Sequence, residues 1–318
     1  MDKLAIGIDL GGTNCRFGAV KADGTLVCQQ LMPVPKDRSH KGIISFLCSG
    51  IEMTKKKAAS ESSCIGIGAP GIVDYNNGSI VRSPHFRDWH NFELRKNLEA
   101  ACSLPVALDN DANLVAAGEA WLGAGQDTKN FILITLGTGI GGGICIDGEI
   151  FHGDKGFAGE IGHQILFFDG RKCDCGSKGC WETVVSIDGL RQLIADSNDP
   201  RKEKFLQKYH RGLDSITPHD LHKEASDGDI FASLIWKKFG AYLGAGIASL
   251  VNILGIHTVI IGGGISNAWD FFISAAKKEL SKRTYEESFE KIVIKKALLG
   301  ETAGILGAAG IAFKMKNS

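Results

Sequence analysis

Short apolar runs of strand length alternate along this chain with longer segments of helical period. LAIGID (4–9), CRFGAV (15–20) and TLVCQQLMPV (25–34) read as an opening antiparallel meander, with LGGT between the first two strands. Residues 41–58 carry apolar positions at helical spacing. CIGIGAP (64–70) predicts a strand ending in a Pro-Gly turn, and PVALDND (105–111) a short strand running into a helix at 112–124. The opening plan then recurs. FILITLG (131–137) is an apolar strand, TGIGG a glycine turn, and GICIDGEIF (143–151) a returning strand. Helical period dominates 183–255, interrupted by a polar stretch at 197–220, with its longest segment at 230–255. TVIIGGG (258–264) predicts a strand ending in glycines. A helix (268–282), a strand (291–297) and a closing helix (303–315) follow. Strands alternating with helices after each meander predict α/β layers. The repeated strand–turn–strand plan predicts two related domains: 1–115 together with the C-terminal helix at about 303–318, and 116–302.

Bulk properties narrow the function classes. The 318 residues suit about two domains. Lys plus Arg and Asp plus Glu balance at 36 each, which gives no chain-wide attraction to nucleic acid or an anionic membrane. The start, MDKLAIGID, lacks a basic stretch before a long apolar run. The longest apolar candidate, 243–256, is broken by glycines, Ser249 and Asn252, short of the ~20 residues that span a bilayer. A cytoplasmic protein with neither nucleic acid nor membrane as partner is expected. Of nine cysteines, Cys15, Cys28, Cys48, Cys64, Cys102 and Cys145 are scattered, whereas Cys173, Cys175 and Cys180 fall within eight residues. That contrast predicts a reducing compartment and one local metal site.

The 41 glycines cluster where a backbone must approach something closely. GTGIGGG (137–143) has the spacing of a dinucleotide fingerprint, but a strand follows it where that motif needs a helix. No Gly-Lys-Ser/Thr forms a P-loop, and no strand lysine with a His-Arg-Asp loop marks a protein kinase. One glycine turn alone reads as a tight hairpin. Matching turns point to phosphate binding by converging backbone N–H groups: Gly11, Gly12 and Thr13 in the first, Gly137, Thr138, Gly139, Gly141 and Gly142 in the second, Gly263 and Gly264 in a third. Asp9, ending the first strand, is the expected magnesium carboxylate.

LDNDAN (108–113) puts Asp111 at a helix start, where it reads either as a simple N-cap or as an ionised general base. Asp109 is its competitor. GEIGH (159–163) followed by CDCGSKGCWET (173–183) offers His163, Cys173, Cys175 and Cys180 as a closed tetrahedral zinc site. That site would bring Glu160 and Glu182 beside the histidine, as a clamp for vicinal hydroxyls.

LGGT, LGTGIGGG, IIGGG, the Asn110-Asp111 pair and the Glu160–His163–cysteine–Glu182 group together resemble the ROK family of repressors, open reading frames and kinases, over Ile6 to about Ala312. The resemblance implies an actin-like, ribonuclease H-like sugar kinase fold with two domains around a cleft. It implies ATP–Mg²⁺-dependent phosphorylation of a hexose, with glucose at its 6-hydroxyl as first choice and Asp111 as base. Gly71, Asn110, Asp111, Glu160, His163 and Glu182 would contact the sugar, zinc would be structural, and the protein would be a homodimer or larger. GIGAPGIVD (66–74) resembles the family's sugar-lining segment. Ser83-Pro84-His85-Phe86 departs from a Pro-Asn-Leu-like segment, and Gly255-Ile256 from an Asp-Pro pair. N-acetylglucosamine, N-acetylmannosamine, fructose or allose as acceptor, and polyphosphate as donor, stay open. A ROK repressor needs a helix-turn-helix for which the early first strand leaves no room. A scaffold without kinase activity is disfavoured by the intact Asp111, Glu160 and Glu182.

Overall fold

A computed structural model describes residues 4–86 and 88–317, the side chain of Asn317 excepted. In chain order the elements are β1 (Leu4–Leu10), β2 (Asn14–Lys21), β3 (Leu26–Pro33), α1 (His40–Ala58), β4 (Ser62–Ala69), β5 (Ile72–Asp74), β6 (Ser79–Arg82), β7 (His90–Phe92), α2 (Leu94–Cys102), β8 (Val106–Asn110) and α3 (Asp111–Leu122). Then come β9 (Phe131–Leu136), β10 (Ile140–Ile146), β11 (Glu149–Ile150), α4 (Ile187–Ala195), α5 (Lys202–Leu206), α6 (Pro218–Ser226) and α7 (Ile230–Leu254). The chain closes with β12 (Thr258–Gly262), α8 (Trp269–Ser281), α9 (Glu286–Phe289), β13 (Val293–Lys296) and α10 (Ala303–Asn317). No helix among the described residues is long and apolar enough to cross a membrane.

The strands form five-stranded sheets of order β3-β2-β1-β4-β8 and β11-β10-β9-β12-β13, and a three-stranded sheet β5-β6-β7. The first sheet holds the predicted meander: β1, β2 and β3 pair antiparallel, while β4 and β8 add in parallel. β1 and β4 are buried on both faces and read as near-continuous apolar runs, as central parallel strands do. Two compact units result: Met1–Leu133 with Gly143–Gly159 and Ala297–Ser318, and Ile134–Gly142 with Glu160–Lys296. Residues 1–3 and 318 of the expected first domain lie outside the described residues.

This division differs from the expected boundary at 115. All of α3 belongs to the first unit because α10 packs directly onto it. A Cβ on Gly307 would sit 1.8 Å from the Leu114 carbonyl oxygen, and one on Gly118 2.5 Å from that of Ala303. α10 lies equally close on the sheet, since a Cβ on Gly7 would meet the Ile305 oxygen at 2.1 Å and one on Gly66 the Ala308 oxygen at 1.8 Å. Small residues thus bring helix backbone against sheet backbone.

Three local expectations are corrected. The segment read as one strand at 143–151 is the end of β10, a turn and β11. Asp147 and Gly148 both have left-handed φ, 54° and 84°, the pair a two-residue hairpin requires. β10 starts at Ile140, so Gly141 and Gly142 are strand residues and the second turn narrows to 137–139. The sheet β5-β6-β7 and α2 lie in a stretch the pattern left unread. Strands of three or four residues carry too few alternations to register.

Candidate active site

In the first unit, β1 delivers Asp9 and β2 starts at Asn14, with Gly11–Thr13 as the connection. Gly11 N–H donates to the Asn14 carbonyl (3.0 Å), and Val34 N–H donates to that of Thr13 (2.8 Å). Those bonds hold an open turn with Thr13 exposed. Asp9 faces Arg16 across the β1–β2 ladder. Burial raises its carboxyl above the usual range, and the Arg16 guanidinium pulls it back down. Gly304, in the first turn of α10, abuts the Asp9 side chain, where a Cβ would lie 2.9 Å from Cγ.

The three polar residues at the β8–α3 junction have separate jobs. Asn110 is the N-cap: its Oδ1 accepts from Ala112 N–H (2.8 Å) and Asn113 N–H (3.2 Å). Its Nδ2 donates to the Gly71 carbonyl at 3.0 Å. Gly71 has φ +108°, and a Cβ there would lie 2.3 Å from the Arg82 carbonyl oxygen, so only glycine fits. Asp109 is 5% exposed. Its Oδ1 accepts from Asn110 N–H (2.7 Å) and Asn113 Nδ2 (2.9 Å), and its Oδ2 lies 2.7 Å from His152 Nε2. His152 in turn stacks on Tyr75, with centroids 3.8 Å apart. Asp109 is therefore built into the fold. Asp111 is the first helical residue and stays partly exposed. A carboxylate in the first turn sits in the favourable field of the helix N-terminus. The first unit thus brings Gly71, Asn110 and Asp111 together.

The second unit gathers the other expected residues. His163, Cys173, Cys175 and Cys180 have ligand atoms all within 4.8 Å of one another. Cys175 Sγ and Cys180 Sγ are 3.6 Å apart, as are Cys173 Sγ and His163 Nδ1. A tetrahedral ion with Zn–S bonds of ~2.3 Å has ligand–ligand edges of about 3.7 Å, so the donor set fits zinc in type and spacing. Burial, with the neighbouring thiols, pushes Cys173 up to about 12. A divalent ion reverses this by holding the thiolate form. Trp181, directly after Cys180, is fully buried and donates through Nε1 to the Tyr242 carbonyl of α7 (2.9 Å), rooting the knuckle in the core.

Glu160 precedes the 3-10 turn Ile161–His163, and its Oε2 is 3.8 Å from His163 Nε2. Burial raises the Glu160 carboxyl, which His163 lowers and Glu182 raises further. Glu182 reaches the second glycine turn. Its Oε2 accepts from Ile140 N–H at 2.8 Å and occupies the space a Cβ on Gly139 would need, 2.2 Å away. Its Oε1 lies 4.0 Å from Cys173 Sγ. One carboxylate therefore links the His163–cysteine group to the second glycine turn, a contact between positions 42 apart that spacing arguments do not show. Gly263, with φ +85°, closes onto the strand before that turn, since a Cβ there would be 2.3 Å from the Leu136 oxygen. The turns around 137–139 and 263–264 are thus neighbours. A Cβ on Gly137 or Gly264 would meet nothing within 4 Å, which leaves backbone open to a ligand. Sequence reasoning missed His152 and the bracing of Glu182, for which no local signal exists.

Comparison with known proteins agrees with this geometry. A glucokinase of Halalkalibacterium halodurans is 34% identical over 321 residues, spanning all of this chain and 97% of that protein. The crystal structure of a ROK family glucokinase from Streptomyces griseus, in complex with glucose and AMPPNP, superposes with a TM-score of 0.82 at 31% identity, covering 98% of this chain and 99% of that one. A putative xylose repressor of Caldicellulosiruptor is 31% identical over 97% of this chain and 77% of its own length. The α/β architecture is that of the two-domain, actin-like sugar kinases. Over residues 5–315 the sequence matches the ROK family, and the chain belongs to it.

Proposed function

We propose that this protein is an ATP-dependent hexose kinase that transfers the terminal phosphoryl group to glucose at its 6-hydroxyl. The observation that carries this reading is the division of labour at 109–111. Asn110 accepts the capping bonds from Ala112 and Asn113 N–H and Asp109 is buried against His152, while Asp111, which also accepts from Ala112 N–H at 2.9 Å, keeps its carboxylate partly exposed at the helix start. A carboxylate so placed accepts the proton of an attacking hydroxyl, a role worth ~10²–10⁴-fold in rate. Gly71 and Asn110 shape the acceptor side of the first unit. In the second unit Glu160, His163 and Glu182 hold sugar hydroxyls, braced by the zinc knuckle. The full-length similarity to glucokinases favours glucose among the hexoses. The phosphates lie on the backbone N–H groups of the glycine turns, with Thr13 and Thr138 as hydroxyl donors. Magnesium, bound with the nucleotide and reached by Asp9, neutralises charge on the phosphates. Without the metal, His163 and the three cysteines would lose the ion that fixes them beside Glu160, while Glu182 would keep its bond from Ile140 N–H.

The experiment is a panel of hexoses and their N-acetyl derivatives with ATP, read by sugar-dependent ADP release, for wild type and Asp111→Asn. Glucose is expected to give the highest kcat/KM, and the variant to lose at least about 10²-fold in kcat. Near-normal turnover by Asp111→Asn would remove Asp111 as base. A sugar-responsive repressor, the reading its repressor relatives suggest, would bind a sugar and release no ADP with any of them.

A further inference from the structure

The first glycine turn carries a contact that none of the roles above uses. The imidazole of His85 lies against Gly12, where a Cβ would be 2.7 Å from the ring's Cγ and 2.9 Å from its Nδ1. The side chain is exposed, yet its backbone is held firmly. Arg38 Nη1 donates to the His85 carbonyl (2.7 Å), and Nη2 of the same guanidinium donates to the Gly12 carbonyl (2.8 Å). Arg38 also lies over the Phe86 ring, 5.5 Å from its centroid. Phe86 is buried and stacks on Trp89 at 4.1 Å, and Trp89 Nε1 donates to the Arg38 carbonyl at 3.2 Å. One arginine therefore clasps the glycine turn and the His85 segment to each other, within the first unit.

We infer that His85 is a further phosphate-contacting residue, and that Arg38 is the positioning residue that sets its ring beside Gly12. This rests on the kinase reading and deepens it. An anion seated on the N–H groups of Gly12 and Thr13 is within hydrogen-bond reach of a ring already touching Gly12. An imidazole offers an N–H donor whether neutral or charged. The packing explanation, a flat side chain covering a glycine, would leave the clasp without purpose, because an exposed ring needs no two-carbonyl anchor. The structure thus directs this departure from the family's Pro-Asn-Leu-like segment at the first glycine turn.

The test compares wild type, His85→Ala, His85→Asn, Arg38→Gln and the double variant Arg38→Gln/His85→Ala. Calorimetry measures binding of MgADP and of magnesium-bound inorganic tripolyphosphate, steady-state assays give the KM values for MgATP and glucose, and melting checks the fold. His85→Ala is expected to weaken tripolyphosphate binding and raise the MgATP KM by about tenfold, the size of one lost charge-assisted hydrogen bond. The glucose KM and melting temperature should stay put. His85→Asn, which keeps a donor, should recover part of the loss. Arg38→Gln should act in the same direction, and the double variant should be no worse than His85→Ala, since the arginine works through the ring. Unchanged tripolyphosphate binding in His85→Ala, or a loss confined to the glucose KM, overturns the inference. So does a wild type that binds no tripolyphosphate. Should wild type bind tripolyphosphate yet phosphorylate no sugar, the kinase reading fails while the binding comparison still decides His85.

Discussion

Replacing Gly139 by alanine tests whether Glu182 joins the second glycine turn to the Glu160–His163–cysteine group. Gly139 is not in the left-handed region, so alanine there acts through crowding alone. The new methyl would lie 2.2 Å from Glu182 Oε2 and 3.1 Å from its Cδ. Carbon and oxygen settle at about 3.5 Å, so the carboxylate must retreat by more than ~1 Å. The 2.8 Å bond from Ile140 N–H then passes out of hydrogen-bond range. Losing a bond to a charged acceptor costs roughly 1.5–3 kcal/mol, and a carboxylate pushed off its station would no longer meet the sugar hydroxyl that the proposed function assigns to it. Together these effects are expected to lower kcat/KM for glucose by about 10²-fold, where 1.4 kcal/mol is tenfold. The assay is steady-state ADP release with glucose and MgATP varied, for Gly139→Ala, Glu182→Ala and the double variant. If the methyl acts by displacing Glu182, it should cost less than about threefold once Glu182 is already alanine, a coupling in the range expected for residues in contact. Equal fold-losses from Gly139→Ala in both backgrounds would refute the reasoning and return Gly139 to the status of a plain turn residue.

Three further outcomes follow from the geometry. Cys173→Ser, or prolonged chelation of wild type, should reduce zinc from about one ion per chain to near none and lower both melting temperature and glucose affinity; active protein purified without zinc would contradict this. Gly66→Ala should destabilise by ~3 kcal/mol or more, because its methyl would meet the Ala308 carbonyl oxygen at 1.8 Å and neither backbone can yield; a melting temperature within a degree or two of wild type would count against the α10 packing. Arg16→Gln removes the charge that lowers Asp9 against the upward push of burial, so the Asp9 carboxyl should titrate at higher pH. On the proposed reading the ionised form serves magnesium, so the acid limb of kcat/KM for MgATP should move to higher pH, and an unmoved limb would show that Asp9 does not report there.

What the sequence made legible was whatever its chemistry confines to a short stretch. Three thiols within eight residues announce a cluster of ligand-type side chains, and the structure gathers them with His163. A strand running into LDNDAN announces a helix start at Asp111. Which of three adjacent polar residues does what was not legible, because the answer lies elsewhere in the chain. Asp109 is taken by His152, 43 residues on, and Asn110 by the Gly71 carbonyl, 39 residues back. Glycine shows the same split. Clusters were read as places where backbone meets a ligand, which suits Gly137 and Gly264 with their open surroundings. The isolated Gly7, Gly66, Gly118 and Gly307 look alike in sequence but serve the opposite end: protein backbone already fills the space their side chains would need. One composition figure thus covers two requirements, open backbone for an anion and closed backbone for α10. α10 in turn sets Gly304 against Asp9 and packs along the helix that begins at Asp111, so glycines that touch no ligand fix the two carboxylates on which the proposed chemistry depends.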